Sequence, residues 1–314
     1  MKKIDLNFFP GYTRKAISYT IDDGNVPLDI KFLNVVKPHG FKGTFNLSNA
    51  SRPGYTPEDY RRIYDGCEIA NHCYTHPAAI PDESKGKKIS DEYYDDATAE
   101  KDVLYKSPKE EGVYLQTRRS RGIPPVRFVP AELYIKYIEE AQAELESVFG
   151  KGNIVQFVWP YGEQANKEIS DYLRDSHFYA VRKTGDLQDN TGFAIPKERF
   201  NWTYCAGYTV VTDVADKFDA YEDDGELKLF TFGIHSHDYE NNDKWADLEY
   251  VANKLGDRPN DFWYATNIEV FRYDDAVKAV EVTDTEIYNP SNITLYIKID
   301  GVPTTLPAGA KISI

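Results

Sequence analysis

Short apolar runs alternate with segments of helical spacing along the first eighty residues. Ala16-Ile17-Ser18-Tyr19-Thr20 reads as a strand ending at Asp22, Pro27 to Val36 as a helix, and Phe41–Leu47 as the next strand. Thr56-Pro57-Glu58-Asp59 is a helix start: Thr caps, Pro suits the first turn, and two acids meet the positive end of the dipole. That helix runs to about Gly66, and Glu68-Ile69-Ala70-Asn71 leads as a strand into His72. Alternation of this kind predicts an α/β fold with a parallel sheet and crossover helices.

The pattern breaks over residues 80–129. This polar stretch holds Lys85, Lys87, Lys88, Arg118, Arg119 and Arg121, with Pro124-Pro125, and shows no clear period. Two readings stand: a lid or substrate wall, or a solvated loop unconnected with function. Ala131–Phe149 restores the helical period, with Leu133, Tyr137, Ile138, Ala141, Leu145, Val148 and Phe149 on one face and Gly150 as the stop. Ile154–Trp159 and Lys228–Ile234 read as strands and Trp245–Leu255 as an amphipathic helix. Leu295–Ile299, the Asp300-Gly301 turn and Lys311–Ile314 read as a small β unit after the main fold. No internal repeat appears.

Chemistry enters at the predicted strand ends. Tyr19-Thr20-Ile21-Asp22-Asp23-Gly24 closes one strand with adjacent carboxylates. Gly66-Cys67-Glu68-Ile69-Ala70-Asn71-His72-Cys73-Tyr74-Thr75-His76-Pro77 closes another with two histidines four apart. Two imidazoles and one carboxylate can hold a divalent metal with positions left open. The other carboxylate is then free to take a proton, which is the kit for metal-assisted hydrolysis. Tyr161 and His235 also fall at apparent strand ends, where catalytic groups gather in such folds.

These residues resemble the polysaccharide deacetylase family, the NodB-like carbohydrate esterases. Thr20-Ile21-Asp22-Asp23-Gly24 is similar to its T-F-D-D-G, and Glu68–Pro77 to its E-I-G-N-H-T-x-x-H-P. Gly43-Thr44-Phe45-Asn46-Leu47 resembles its second strand, Pro160-Tyr161-Gly162 its P-Y-G turn, and Phe232-Gly233-Ile234-His235 its late strand ending in histidine. The resemblance covers most of residues 10–275. It implies a distorted (β/α) barrel over residues 1–278, interrupted by the 80–129 insertion, with residues 279–314 as a small C-terminal β appendage.

It further implies a metal held by Asp23, His72 and His76, with Zn2+ the first choice and Co2+, Ni2+, Mn2+ or Fe2+ able to fill a similar site. Asp22 is the implied base, His235 the implied acid, and the Tyr161 backbone N–H an oxyanion donor. The family's usual Arg two residues before the P-Y-G proline is Val158 here. A branch of the family carries an Arg on the following strand instead. Phe178-Tyr179-Ala180-Val181-Arg182-Lys183-Thr184 followed by Thr191-Gly192-Phe193-Ala194-Ile195-Pro196 resembles that segment, so Arg182 is the candidate replacement. His235 and His237 are two apart, so on a strand both face the same side, and His237 remains an alternative acid or a substrate group. Asp186 and Asp189 read as loop residues.

Composition narrows the substrate. Thirty-seven basic against fifty-one acidic residues give a net charge of −14, which argues against a nucleic-acid surface. It also disfavours strongly anionic polymers, unless a local basic pocket overrides the total. The twenty-four tyrosines read mainly as core filling. Cys67, Cys73 and Cys205 form no disulfide framework, and Cys73 is a wall residue rather than a ligand. No window is a membrane span or a signal peptide, so the chain reads as cytoplasmic, or exported if a leader precedes it. Asn46, Asn49, Asn201 and Asn292 begin N-x-S/T triplets, read as chance.

Three functions are expected in competition. One is a metal-dependent deacetylase of N- or O-acetylated sugar. The second is an amidase using the same site on a small or cyclic C–N bond. The third is a degenerate, non-catalytic carbohydrate-binding relative, suggested by Val158 and opposed by the retention of Asp22 and His235.

Overall fold

The computed structural model describes residues 2–82, 87–118, 124–162, 166–184 and 192–314. The expectations placed on Lys85, Arg119, Arg121, Asp186, Asp189 and Thr191 lie outside the described residues.

After an edge strand β1 (Ile4–Phe8), the chain lays down β2 (Lys15–Asp22), α1 (Val26–Val36), β3 (Thr44–Leu47), α2 (Pro57–Ile63) and β4 (Glu68–Asn71). Each crossover is short and helical, so the strands run parallel. Thr56 caps α2 in a reciprocal capping box with Asp59, the start the Thr-Pro-Glu-Asp run predicts. Next come β5 (Ala78–Ala79), β6 (Lys88–Tyr93), β7 (Val103–Lys106), β8 (Tyr114–Gln116) and β9 (Val126–Val129). The barrel resumes with α3 (Ala131–Phe149), β10 (Gln156–Val158), α4 (Lys167–Asp175), β11 (Ala180–Arg182), α5 (Val211–Asp219), β12 (Lys228–His235), α6 (Ser236–Asn241), α7 (Trp245–Leu255), β13 (Phe262–Tyr264) and α8 (Asn267–Lys278). Five short strands follow: β14 (Glu281–Val282), β15 (Glu286–Tyr288), β16 (Leu295–Ile299), β17 (Val302–Leu306) and β18 (Lys311–Ser313).

The main sheet has the order β11-β10-β4-β3-β2-β12, with β13 pairing the first half of β2. β2 and β12 pair in parallel along their full length, from Lys15 opposite Lys228 to Asp22 opposite His235. Every residue of β2 from Ala16 to Asp22 is buried, as expected of a parallel strand covered on both faces. Single bridges from Arg182 to Trp202 and from Ala206 to Phe232 join the two edge strands through an irregular segment. The sheet therefore curls on itself, and with its helices it is the distorted (β/α) barrel that the motifs imply.

Two differences from the sequence reading have physical causes. The buried stripe of α3 runs through Ala131, Tyr134, Ile138, Ala141, Leu145 and Val148, while Leu133 and Tyr137 are only half-buried. Tyr134 wins the core position by packing on Trp159, ring centroids 5.7 Å apart. The 80–129 stretch is neither a bare loop nor patternless in space. With Ala78 and Ala79 it builds a five-stranded sheet, β5-β9-β8-β7-β6, over a small core of Ala78, Leu104 and Phe128.

The C-terminal strands form two three-stranded sheets, β14-β15-β18 and β1-β16-β17. β1, at the opposite end of the chain, pairs antiparallel with β16. Ile287, Leu295, Ile297 and Leu306 of this unit share one apolar cluster with Phe9, Phe271 and Tyr273 of the barrel, so it packs on the barrel as a cap.

Candidate active site

Asp22 ends β2 and Asp23 opens the turn after it. Asp23 takes a left-handed backbone with φ 77°. His76 and Tyr161 share that conformation, at φ 50° and 58°. Non-glycine residues held this way cost energy and gather where side chains must be aimed. In Pro160-Tyr161-Gly162 the glycine is required as well: its φ is 75°, and a Cβ there would lie 2.2 Å from the Thr184 side chain.

The three metal-ligand candidates come together. His72 Nε2 is 3.5 Å and His76 Nε2 3.3 Å from Asp23 Oδ1, and the donor atoms of the three residues all lie within 4.8 Å of one another. His72 is 1% exposed, and its Nδ1 contacts the Val158 carbonyl oxygen at 2.8 Å. That contact assigns the proton to Nδ1 and leaves Nε2 as a lone-pair donor, the outer-sphere arrangement usual for a ligating imidazole. His72 Nε2 is buried and has no hydrogen-bond partner among the described residues. An orphaned buried nitrogen beside a carboxylate and a second imidazole fits a divalent cation. Burial disfavours charge on Asp23, yet the neighbouring His72, His235 and His76 hold its carboxyl well below the usual carboxylate range. Burial and then the nearness of His72 push His76 down to about 4, so at neutral pH its ring is an uncharged donor.

Asp22 is held differently. It is 3% exposed, and the fully buried Arg182 donates from Nη2 to both of its oxygens, at 2.6 Å to Oδ2. Asn46 Nδ2 donates to Asp22 Oδ1 at 2.6 Å and to Thr20 Oγ1 at 2.8 Å. Burial is the largest single influence and works to raise the Asp22 carboxyl, but Arg182, His72 and His235 together outweigh it and hold the carboxyl below the ordinary range. Arg182 reaches Asp22 from the strand next to the one that carries Val158, and the register explains how. Val158 on β10 and Arg182 on β11 are direct pairing partners, so one strand supplies what its neighbour lacks at the same level of the barrel.

Beside Asp22 on the neighbouring strand, His235 has its Nε2 3.7 Å from Asp23 Oδ2 and its Nδ1 2.9 Å from Asp238 Oδ2. Burial lowers the ring's affinity for a proton, but Asp238, Asp22 and Asp23 more than reverse this and raise it. His237 departs from the expected strand geometry. β12 ends at His235 and helix α6 begins at Ser236, so His237 lies on a helix, with its ring stacked on that of His235 at 4.6 Å. The helix starts there because buried Ser236 donates to Asp29 Oδ1 of α1 at 2.7 Å, while Tyr64 donates to Asp29 Oδ2 at 2.7 Å. Asp23, His235 and His237 also bring one donor atom each within 4.8 Å of the others.

Asn46, Asp29, Asp238 and Arg118 escape the sequence reading of the site. Asn46 registers only as part of the second-strand resemblance and as the start of a glycosylation-like triplet, although a fully buried polar side chain inside a short strand needs a partner. Cys73 is not the wall residue expected: it is fully buried in the apolar cluster with Tyr134 and Trp159, outside the cavity lining, and burial pushes its thiol up well above the ordinary range. The cavity, about 390 Å³, is lined by Asp22, Asp23, His72, His76, Tyr161, His235 and His237, joined by Arg118 and Thr184.

The polysaccharide deacetylase family model matches residues 11–181, and the chain belongs to that family. No protein of curated function matches it. Among solved structures it is similar to the peptidoglycan deacetylase PdaC of Bacillus subtilis, at 20% identity and a TM-score of 0.44, covering 84% of this chain and 95% of that one. It is also similar to a family 4 acetyl xylan esterase of Clostridium thermocellum in complex with a cobalt ion, at 15% identity and a TM-score of 0.44, covering 82% and 90%. A polysaccharide deacetylase of Bacillus cereus is similar at 15% identity and a TM-score of 0.42, covering 81% and 92%.

Proposed function

We propose that this chain is a metal-dependent deacetylase of acetylated carbohydrate. The observation that carries the reading is the division of labour between adjacent aspartates: Asp22 is locked by Arg182 and Asn46, while Asp23 faces the two imidazoles of His72 and His76. A divalent cation held by Asp23, His72 and His76 would supply acidity to a water and polarise the acetyl carbonyl, so that a base of depressed pKa suffices. Zn2+ suits two nitrogens and one carboxylate best, and Co2+, Ni2+, Mn2+ or Fe2+ fit the same donors.

The protein's own groups account for the proton movements. Asp22 takes a proton from the attacking water, with Arg182 and Asn46 fixing its orientation. The Tyr161 backbone N–H is the proposed donor to the oxygen that becomes negative. His235, its Nδ1 tied to Asp238, gives a proton from Nε2 to the leaving nitrogen or oxygen. A candidate base and a candidate acid side by side on paired strands, both next to the cation site, argue for turnover rather than binding alone.

The test is acetate release from a panel of N- and O-acetylated sugars, with elemental analysis of the purified protein. Release that stops with chelator and returns with added metal supports the reading. Bound metal without acetate release from any sugar would redirect the site to a small-amide substrate. His76→Ala should lower bound metal, and unchanged metal content would sink this ligand set.

A further inference from the structure

The inserted sheet delivers one more charged group to the cavity. Arg118, just after β8, lines the same cavity as Asp23, His72, His76 and His235. Its Nη2 donates to the Tyr161 hydroxyl at 3.3 Å, and its guanidinium carbon lies 5.8 Å from the centre of the Tyr161 ring. That ring meets His76 edge-on, centroids 4.7 Å apart. The guanidinium therefore stands one aromatic ring beyond a proposed metal ligand.

Charge makes the placement informative. Within the same cavity Asp22 is already satisfied by Arg182, and Asp23 by its ring of imidazoles. Arg127, on the neighbouring strand of the insertion, is paired with Glu110. Among the described residues Arg118 has Tyr161 as its polar partner and no carboxylate. A guanidinium offers five N–H donors in a planar fork matched to carboxylate, sulfate or phosphate oxygens. In a chain of net charge −14, an arginine left without a carboxylate at a cavity wall is the local exception to the acidic total. A volume of about 390 Å³ is enough for a sugar-sized ligand.

We propose that Arg118 selects substrates whose acetylated sugar carries an anionic substituent, a carboxylate or a sulfate or phosphate ester, close to the acetyl group. This rests on the deacetylase reading above and assigns to the insertion the part of a specificity wall.

The experiment compares kcat/KM on three matched acetylated sugars, one neutral, one with a carboxylate and one with a sulfate, for the metal-loaded wild type, Arg118→Ala and Arg118→Lys. The wild type should prefer at least one charged sugar over the neutral one by roughly five- to ten-fold. That ratio should shrink with added salt and fall to near one in Arg118→Ala, with Arg118→Lys between. The sugar whose ratio depends on Arg118 identifies the anion. A wild-type ratio near one for both anions, or a ratio preserved in Arg118→Ala, overturns the proposal. If no sugar releases acetate, the deacetylase reading fails separately. The same three sugars titrated calorimetrically against wild type and Arg118→Ala then decide the role of Arg118 by their Kd ratios. Arg118 is exposed, so its replacement does not threaten the fold.

Discussion

Two cavities of similar size open at opposite ends of the barrel strands, and both are lined with charge. The one at the amino ends of β2, β12 and β13 is about 360 Å³. There most of the cations are matched: Arg14 meets Asp5 and Asp223, Arg258 meets Asp219 and Asp261, Lys228 meets Asp224, and Lys15 donates to the carbonyls of Phe218 and Asp219, while Glu222, Glu226 and Lys298 line it without a salt bridge among the described residues. The one at the carboxyl ends, about 390 Å³, leaves valences open. Asp23 is met by three imidazoles, His72 Nε2 has no partner among the described residues, and Arg118 has no carboxylate. The amount of charge does not separate a working site from a structural one. What sets the carboxyl-end cavity apart is that its unpartnered atom, His72 Nε2, sits beside a carboxylate and a second imidazole, a grouping that can share a cation.

The sharpest break of this comparison is at Asp22. Asp22→Asn should lower kcat by about 10³- to 10⁴-fold, the upper part of the range of general acid–base catalysis, with metal content retained. Turnover near wild type would show that Asp22 is a structural partner of Arg182, like the paired charges at the other end. Next in size is the pair itself. Arg182→Leu leaves the Asp22 carboxylate buried without its cation, and breaking such a pair costs about 3–5 kcal/mol in unfolding free energy. Denaturant unfolding that shows under about 1 kcal/mol would mean that Asn46 alone holds the carboxylate. His235→Ala should lower kcat by about 10²- to 10³-fold and His237→Ala by less than tenfold. If the larger loss falls on His237, the acid is on the helix and not at the strand end.

The strands β2, β4 and β12 were legible because each is a short, mainly apolar run stopped by a candidate site residue. Asp22, His72 and His235 sit at the level where the parallel strands end together. What stayed hidden depends on contacts between distant segments. The exchange of Val158 for Arg182 is a matter of register between β10 and β11, and resemblance alone pointed to it. The turn that lifts His237 onto a helix is set by Asp29, 207 positions away from Ser236. The insertion was opaque for a different reason. β6 is almost wholly exposed and β8 is only half-buried, so neither leaves the alternation of apolar and polar positions that marks a strand. Arg118 is invisible as a site residue until that sheet is in place.

The smallest effect tests the other end of the barrel, at Glu68, which begins β4. Its Oε2 accepts from Thr44 Oγ1 at 2.6 Å and from the Ile268 N–H at 3.2 Å, at the amino end of α8. The residue as a whole is part-exposed, but Oε1 is shut off from solvent and lacks a partner among the described residues. Burial, only partly opposed by those two hydrogen bonds, raises the carboxyl from 4.5 to about 7. Between those values the folded chain holds a proton that the unfolded chain has released, so stability falls as pH rises from about 4.5 to 7 and is flat above. Glu68→Gln keeps an acceptor for Thr44 and Ile268 and removes the ionisation. Relative to wild type it should gain about 1–2 kcal/mol between pH 5 and pH 8, read from urea unfolding at each pH. A variant whose stability tracks wild type across that window would mean that the Glu68 carboxylate is hydrated in solution. The amino end of the barrel would then be closed by matched charges alone, with no buried acid to set against the open valences of the active site.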